Sequence, residues 1–313
     1  MAAPSVRATK HAAFLIALAM TVGEALAEPR AGQDLRLVEF TPWLTTKKGP
    51  NSAKGVIYFI RGWGESAHAG GSLDQFQLAP FFLNTFSENG WDVVGAKYPN
   101  TPTNLFPAQL VSPAARFVNR RVKELRTQGY KRVILVGHSW GAWVSMVSAQ
   151  TKADVDAVVA MAPAVYGPKE TSAGRPNSFF SKNASEFAKV VSAVRTPTVL
   201  ALFAEDRFEP DGRGNSAEKQ LSKNKVAHLI VNRDPAFKGH LAGWLPIFDF
   251  AYGNCIRSFI EHPGPTECNL PPLSNSDVRS IVSAKQVIDI DDKNVASAQP
   301  LVGKKFAIYP LGR

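Results

Sequence analysis

A serine framed by two glycines, Gly137-His138-Ser139-Trp140-Gly141, is the stretch of this 313-residue chain whose residue types and spacing could carry out acyl chemistry. A hydroxyl that attacks a carbonyl must stand out on a sharp turn, and the neighbours two positions away must be small enough for the chain to close around it. Glycine meets that demand. Before the serine runs Arg132-Val133-Ile134-Leu135-Val136, an apolar stretch of strand length, and after it Ala142 to Gln150 has the pattern of a helix. Strand, serine and helix together read as a nucleophile elbow.

The elements that must position this turn repeat along the chain. From about residue 50, short β-branched runs alternate with helical patterns, the signature of a mainly parallel sheet with helices crossing over both faces. Strands are expected at Val56 to Ile60, Asp92 to Ala96, Arg132 to Val136, Ala157 to Met161, Thr198 to Phe203 and Val226 to Val231, with an antiparallel edge at Leu35 to Phe40. Helices are expected at Ser112 to Gln128, where Ser112 would cap, Pro113 fits the first turn and Gly129 stops it, and at Trp140 to Gln150, Ala184 to Ser192 and Leu241 to Phe259. Between Pro163 and Pro197 the alternation lapses, with Gly167-Pro168 and Gly174-Arg175-Pro176. A cap would sit there, short enough to leave a site partly open to extended or bulky substrates.

Composition frames the same picture. With 45% hydrophobic and 20% charged residues the chain can bury a full core. Arg7 and Lys10 precede an apolar run, Ala12 to Val22, then Ala25-Leu26-Ala27, which reads as a cleaved signal peptide over residues 1–27. The alternative, an uncleaved anchor, needs an apolar run of ~20 residues, and neither this stretch nor any later one is that long. The reading leaves a main α/β domain over 28–270, a C-terminal extension over 271–313 opening at Pro271-Pro272, and a secreted or periplasmic protein.

Cleavage would remove two cations and one anion, taking the formal charge from +10 to +9. Part of the excess lies in Arg116, Arg120, Arg121, Lys123, Arg126, Lys131 and Arg132, around a helix whose inward positions would be Phe117, Val118, Val122 and Leu125. A solvated helix face is the ordinary meaning of such a run; the functional one is weak association with an anionic envelope, or steering of an acidic substrate. No aromatic-interleaved basic motif or nucleic-acid module is present, so nucleic acid is not an expected partner. Two cysteines, Cys255 and Cys268, would meet an oxidising environment after export, and Pro263-Gly264-Pro265 between them lets the chain turn back. A disulfide is expected, two free buried thiols being the alternative, and the spacing lacks a zinc pattern.

From Val56 to Phe259 the chain resembles the α/β-hydrolase superfamily, in particular its serine esterases and lipases. The resemblance implies an α/β-hydrolase fold and a triad in the order Ser, Asp or Glu, His, with no metal and no organic cofactor. The acid would lie just past the strand ending at Phe203, where Glu205, Asp206, Glu209 and Asp211 compete. Family members often carry an aspartate four residues before a proline at this turn, which points to Asp206 ahead of Pro210. For the base, His68 and His138 precede the nucleophile, His228 falls in a strand and His262 lies past the last helix. His240 follows a glycine, as the family's base often does. Two backbone amides would hold the oxyanion, each donor being worth about 3 kcal/mol of barrier. The resemblance assigns them to Trp140 and to Trp63 in Arg61-Gly62-Trp63-Gly64-Glu65, although many relatives have histidine where Arg61 stands and a plain tight turn would read alike. The two indoles would line an apolar acyl site or belong to the core. The implied substrate is a small-molecule or lipid-like ester; a peptidase or acyltransferase would use the same residues, and a binding protein could keep the scaffold without turnover.

Overall fold

The computed structural model describes residues 39–43, 47–63, 80–97, 107–150, 155–170, 174–208 and 212–268. Among the described residues there are seven strands: β1 (Glu39–Trp43), β2 (Val56–Ile60), β3 (Asp92–Lys97), β4 (Val133–His138), β5 (Ala157–Met161), β6 (Thr198–Ala204) and β7 (His228–Lys238). They form one sheet of order β1-β3-β2-β4-β5-β6-β7. Every neighbouring pair is parallel except β1 with β3. β2, β4 and β5 are buried along their whole length, as near-continuous apolar runs must be when helices cover both faces of a parallel sheet.

The helices are α1 (Phe82–Glu88), α2 (Val111–Thr127), α3 (Trp140–Ser148), α4 (Lys182–Ala193), α5 (Arg213–Lys223), the single turn α6 (Pro246–Phe248) and α7 (Asn254–Glu261). Alternation along the strands divides the core. Val56, Tyr58 and Ile60 pack with α2, α3, α4 and α5, while Ile57 and Phe59 pack with α1, α6 and α7.

Where the chain departs from the expected elements, local chemistry accounts for it. The helix expected over Leu241 to Phe259 is broken into a turn at Ala242–Trp244, α6, a π-helical stretch Asp249–Gly253, and α7. Pro246 has no N–H to continue a helix from the preceding turn. At Gly253 a Cβ would lie 2.1 Å from Asp249 Oδ1, so the wide turn and the glycine together make room for that carboxylate. Ser112 does not cap α2, because a 3₁₀ turn at Pro107–Leu110 runs straight into it and places Leu110 at the cap. The strand expected over Val226 to Val231 instead begins at His228 and continues through Pro235 to Lys238, an interruption tolerated on the outermost strand. Helices α1 and α5 had no predicted counterpart; α5 buries only Ala217 and Leu221 as apolar side chains of any bulk, too sparse a stripe to read. Leu35 to Val38, the 1–27 segment and the 271–313 extension lie outside the described residues.

Two of the arginines in the basic run are structural. Arg126 pairs with Asp156, whose Oδ2 also accepts the Val133 N–H at 2.6 Å, tying the end of α2 to the start of β4. Arg132 lies over the Trp91 ring and donates to the carbonyls of Ile260 and Glu261, closing the end of α7. Arg116, Arg120, Lys123 and Lys131 remain on the surface. Cys255 and Cys268 form a disulfide with Cα atoms 5.4 Å apart, a closure worth about 3 kcal/mol. Among the described residues no helix is long and apolar enough to cross a membrane.

Asp249 gives the fold a testable pH dependence. Its Oδ1 accepts the Thr85 hydroxyl at 2.6 Å, and burial, aided by nearby Glu88, pushes the carboxyl up to about 6. The folded-state value lies above the unfolded one, so this group's contribution is fully present below 3.8, its ordinary value, and is lost as the pH rises through about 6. Asp249→Asn keeps an acceptor for Thr85 and removes the titration. In urea unfolding, wild-type stability relative to this variant should decline between about pH 4 and about pH 7; a flat difference contradicts the assignment.

Candidate active site

The serine turn is built by exclusion. A Cβ on Gly137 would lie 2.2 Å from the Gly141 carbonyl oxygen, and one on Gly141 would lie 2.0 Å from the Ile60 carbonyl oxygen and 2.5 Å from that of Arg61. Both are backbone contacts that cannot yield, so β4, α3 and the end of β2 close on one another only with glycine at both places. Ser139 sits between them at φ 55°, ψ −120°, a left-handed backbone that costs a residue with a Cβ about 1–3 kcal/mol. Its amide donates to the Met161 carbonyl at 2.9 Å and its carbonyl accepts from Ala164 at 3.2 Å, which hold the turn to the end of β5. The side chain stays partly exposed.

Asp206 and His240 meet from different strands. The turn after β6 carries Asp206 and the turn after β7 carries His240, whose Nδ1–H donates to Asp206 Oδ2 at 2.8 Å with both residues buried. A carboxylate can only accept, which puts the proton on Nδ1 and leaves Nε2 as the nitrogen able to take another. Asp206 Oδ1 accepts the Phe208 N–H at 2.8 Å. Burial pushes the Asp206 carboxyl up, but His240, the Phe208 amide and Arg213 outweigh it and hold the group below its ordinary value. The Phe208 ring lies 4.3 Å from the His240 ring between centroids.

Of the competing carboxylates, Glu205 is exposed and pairs with Lys238 at 2.7 Å; Glu209 and Asp211 lie outside the described residues. His228 Nδ1–H donates to the Val226 carbonyl at 2.8 Å, away from Asp206. Ser139 is linked to the His240 turn through its chain neighbour: His138 Nε2–H donates to the His240 carbonyl at 2.8 Å. Among the described residues no hydrogen bond joins Ser139 Oγ to His240, a contact that commonly tightens only when substrate is bound.

The loop after β2 starts where Gly141 presses on Ile60 and Arg61, and it brings Trp63 against Trp140 in the first turn of α3. Trp63 is 38% exposed, and its ring lies 5.5 Å from that of Trp140. The two indoles differ: Trp140 is fully buried with Nε1 donating to the Pro107 carbonyl at 2.8 Å, a core residue, whereas Trp63 faces solvent. His138, Phe208 and Arg213 were not singled out from sequence; only His138 carried a signal, its place inside the glycine-framed motif. No group of three or more His, Cys, Asp or Glu able to hold a metal occurs among the described residues.

The sequence profile of the alpha/beta hydrolase family matches residues 90–249, a span that contains Ser139, Asp206 and His240. The chain belongs to this family. No curated protein matches it in sequence. Among solved structures this family member is similar to a monoacylglycerol lipase of Paleococcus ferrophilus, at 17% identity and TM-score 0.49 over 68% of this chain and 96% of that one. It is also similar to an esterase of Pyrococcus furiosus, at 13% identity and TM-score 0.48 over 71% of this chain and 92% of that one.

The closeness of the backbones at the motif can be tested directly. Gly141→Ala should lower stability by about 3 kcal/mol, at the upper end for an overpacked site. Gly174→Ala, where φ is +70° but nothing lies within 4 Å, should cost only about 1 kcal/mol. Equal urea midpoints for the two variants would mean that the elbow is not closed as described.

Proposed function

We propose that this chain is an exported serine hydrolase that cleaves carboxylic esters of small-molecule or lipid-like substrates. The observation that carries the reading is the buried His240–Asp206 hydrogen bond of 2.8 Å, formed past the C-terminal ends of the parallel strands, as is the strained Ser139 turn. Family membership and the arrangement of these residues support the reading together.

Ser139 Oγ attacks the carbonyl carbon while its proton passes to His240 Nε2. The imidazolium that results is stabilised by Asp206, which its neighbours keep ionised. Negative charge gathers on the former carbonyl oxygen, where the Trp63 and Trp140 amides are the donors, aided by the positive end of α3. Collapse breaks the bond to the alcohol, which leaves with the proton from Nε2. Water then attacks the acyl-enzyme and gives a proton to the same nitrogen; collapse breaks the bond to Ser139 Oγ, which takes that proton back as the acid leaves. Amines or alcohols in place of water would make the enzyme a transferase, and amide substrates would make it a peptidase.

The positively charged start of the sequence, its apolar run and the later disulfide support export. The exposed Arg116, Arg120, Lys123 and Lys131 give the protein a surface for weak attachment to an anionic envelope.

The test is turnover of esters of graded acyl length and of matched amides by the protein and three variants. Ser139→Ala should lose at least about a thousandfold in kcat and Asp206→Asn at least about a hundredfold. Glu205→Gln, altered only in an exposed ion pair, should stay near wild type. Retention of wild-type rate by Ser139→Ala, or a loss in Glu205→Gln rather than Asp206→Asn, would overturn the assignment.

A further inference from the structure

We propose that His138, the residue inside the glycine-framed motif, is a positioning residue that holds the catalytic base at a fixed distance from the nucleophile. The inference rests on the reading of Ser139 and His240 given above.

The turn that carries His240 has few other supports. Gly239 reverses the chain at φ +82° with nothing within 4 Å of where its side chain would be. Its amide donates to the Ala204 carbonyl at 2.7 Å, and the imidazole of His240 is held through Nδ1 by Asp206. Both ties lead to β6 and the turn that follows it, so neither fixes His240 relative to Ser139 at the end of β4.

His138 supplies that missing tie. It is fully buried as the last residue of β4, and its Nε2–H donates to the His240 carbonyl at 2.8 Å. A carbonyl oxygen can only accept, so the proton must sit on Nε2 of His138. The two imidazoles lie 4.9 Å apart between centroids, tilted by 54°. Trp244 meets the His138 ring edge-on at 5.4 Å and blocks it from swinging away. With Phe208 also against it at 4.3 Å, the base is bounded by two rings, tethered at Nδ1 to the acid and at its backbone to the nucleophile's neighbour. Nucleophile and base are 101 positions apart in sequence, and this bond joins their turns at a range of 102. Displacing a reacting group by about 1 Å can cost on the order of a hundredfold in rate, so such a tie acts on turnover.

A pair of amide substitutions separates this role from simple packing. The Nε2 of glutamine can occupy the place of the histidine Nε2, whereas asparagine is one bond too short to reach the carbonyl; both are polar and neither is larger than histidine. Active sites are counted by stoichiometric fluorophosphonate labelling, and kcat and KM are expressed per labelled site. His138→Asn should lower kcat by about 10- to 100-fold with KM changed little, and His138→Gln should recover most of it. Equal kcat per site for the two variants, whether high or low, overturns the positioning role, as does a change confined to KM. A wild-type protein that takes no label at Ser139 would instead remove the hydrolase reading, and this inference with it.

Discussion

The end of the sheet that carries Ser139, Asp206 and His240 depends on a backbone contact that admits no side chain. The end of β2, the end of β4 and the first turn of α3 approach until a Cβ on Gly141 would lie 2.0 Å from the Ile60 carbonyl oxygen and 2.5 Å from that of Arg61. That approach forces Ser139 into a left-handed backbone and presents its side chain toward solvent. The same contact sets Arg61, Gly62 and Trp63 beside the helix start, so one steric condition positions both Ser139 and one wall of its surroundings.

Strain is spread along this end of the sheet. The residues that directly follow β4, β5 and β6, namely Ser139, Ala162 and Glu205, all have positive φ, at 55°, 45° and 55°. None is glycine, so each costs free energy that the buried strands behind it must offset. The strands are suited to do so, since β2, β4 and β5 are covered on both faces. Asp206 follows the third of these bends immediately, which directs its carboxylate inward to His240 while Glu205 points outward to Lys238. Two adjacent carboxylates thereby have opposite surroundings.

Much of this was legible in the chain, for physical reasons that differ from element to element. β2 and β5 fall where apolar runs bounded by turn residues put them, because strands buried on both faces leave no polar alternation to blur their ends. The serine turn was legible because its glycines answer a steric need that no other residue meets. The segment after residue 241 was not, since its apolar spacing suits a helix while Pro246 and the carboxylate of Asp249 prevent a regular one. Choosing Asp206 from four carboxylates required a family pattern, because the ion pair that occupies Glu205 comes from Lys238, 33 positions away. His138 was passed over for a related reason: order along the chain marked it as unable to be the base, and only the fold reveals that it holds the backbone of His240. Family and fold thus stand on local sequence, whereas the support around Ser139, Asp206 and His240 is long-range.

Trapping the covalent intermediate tests the central claim most directly. Mixing the protein with an activated ester and quenching in acid within the first turnover should show a burst of alcohol equal to the enzyme present, with one acyl group on the peptide that contains Ser139. Absence of a burst, or an acyl group on any other residue, would contradict the account.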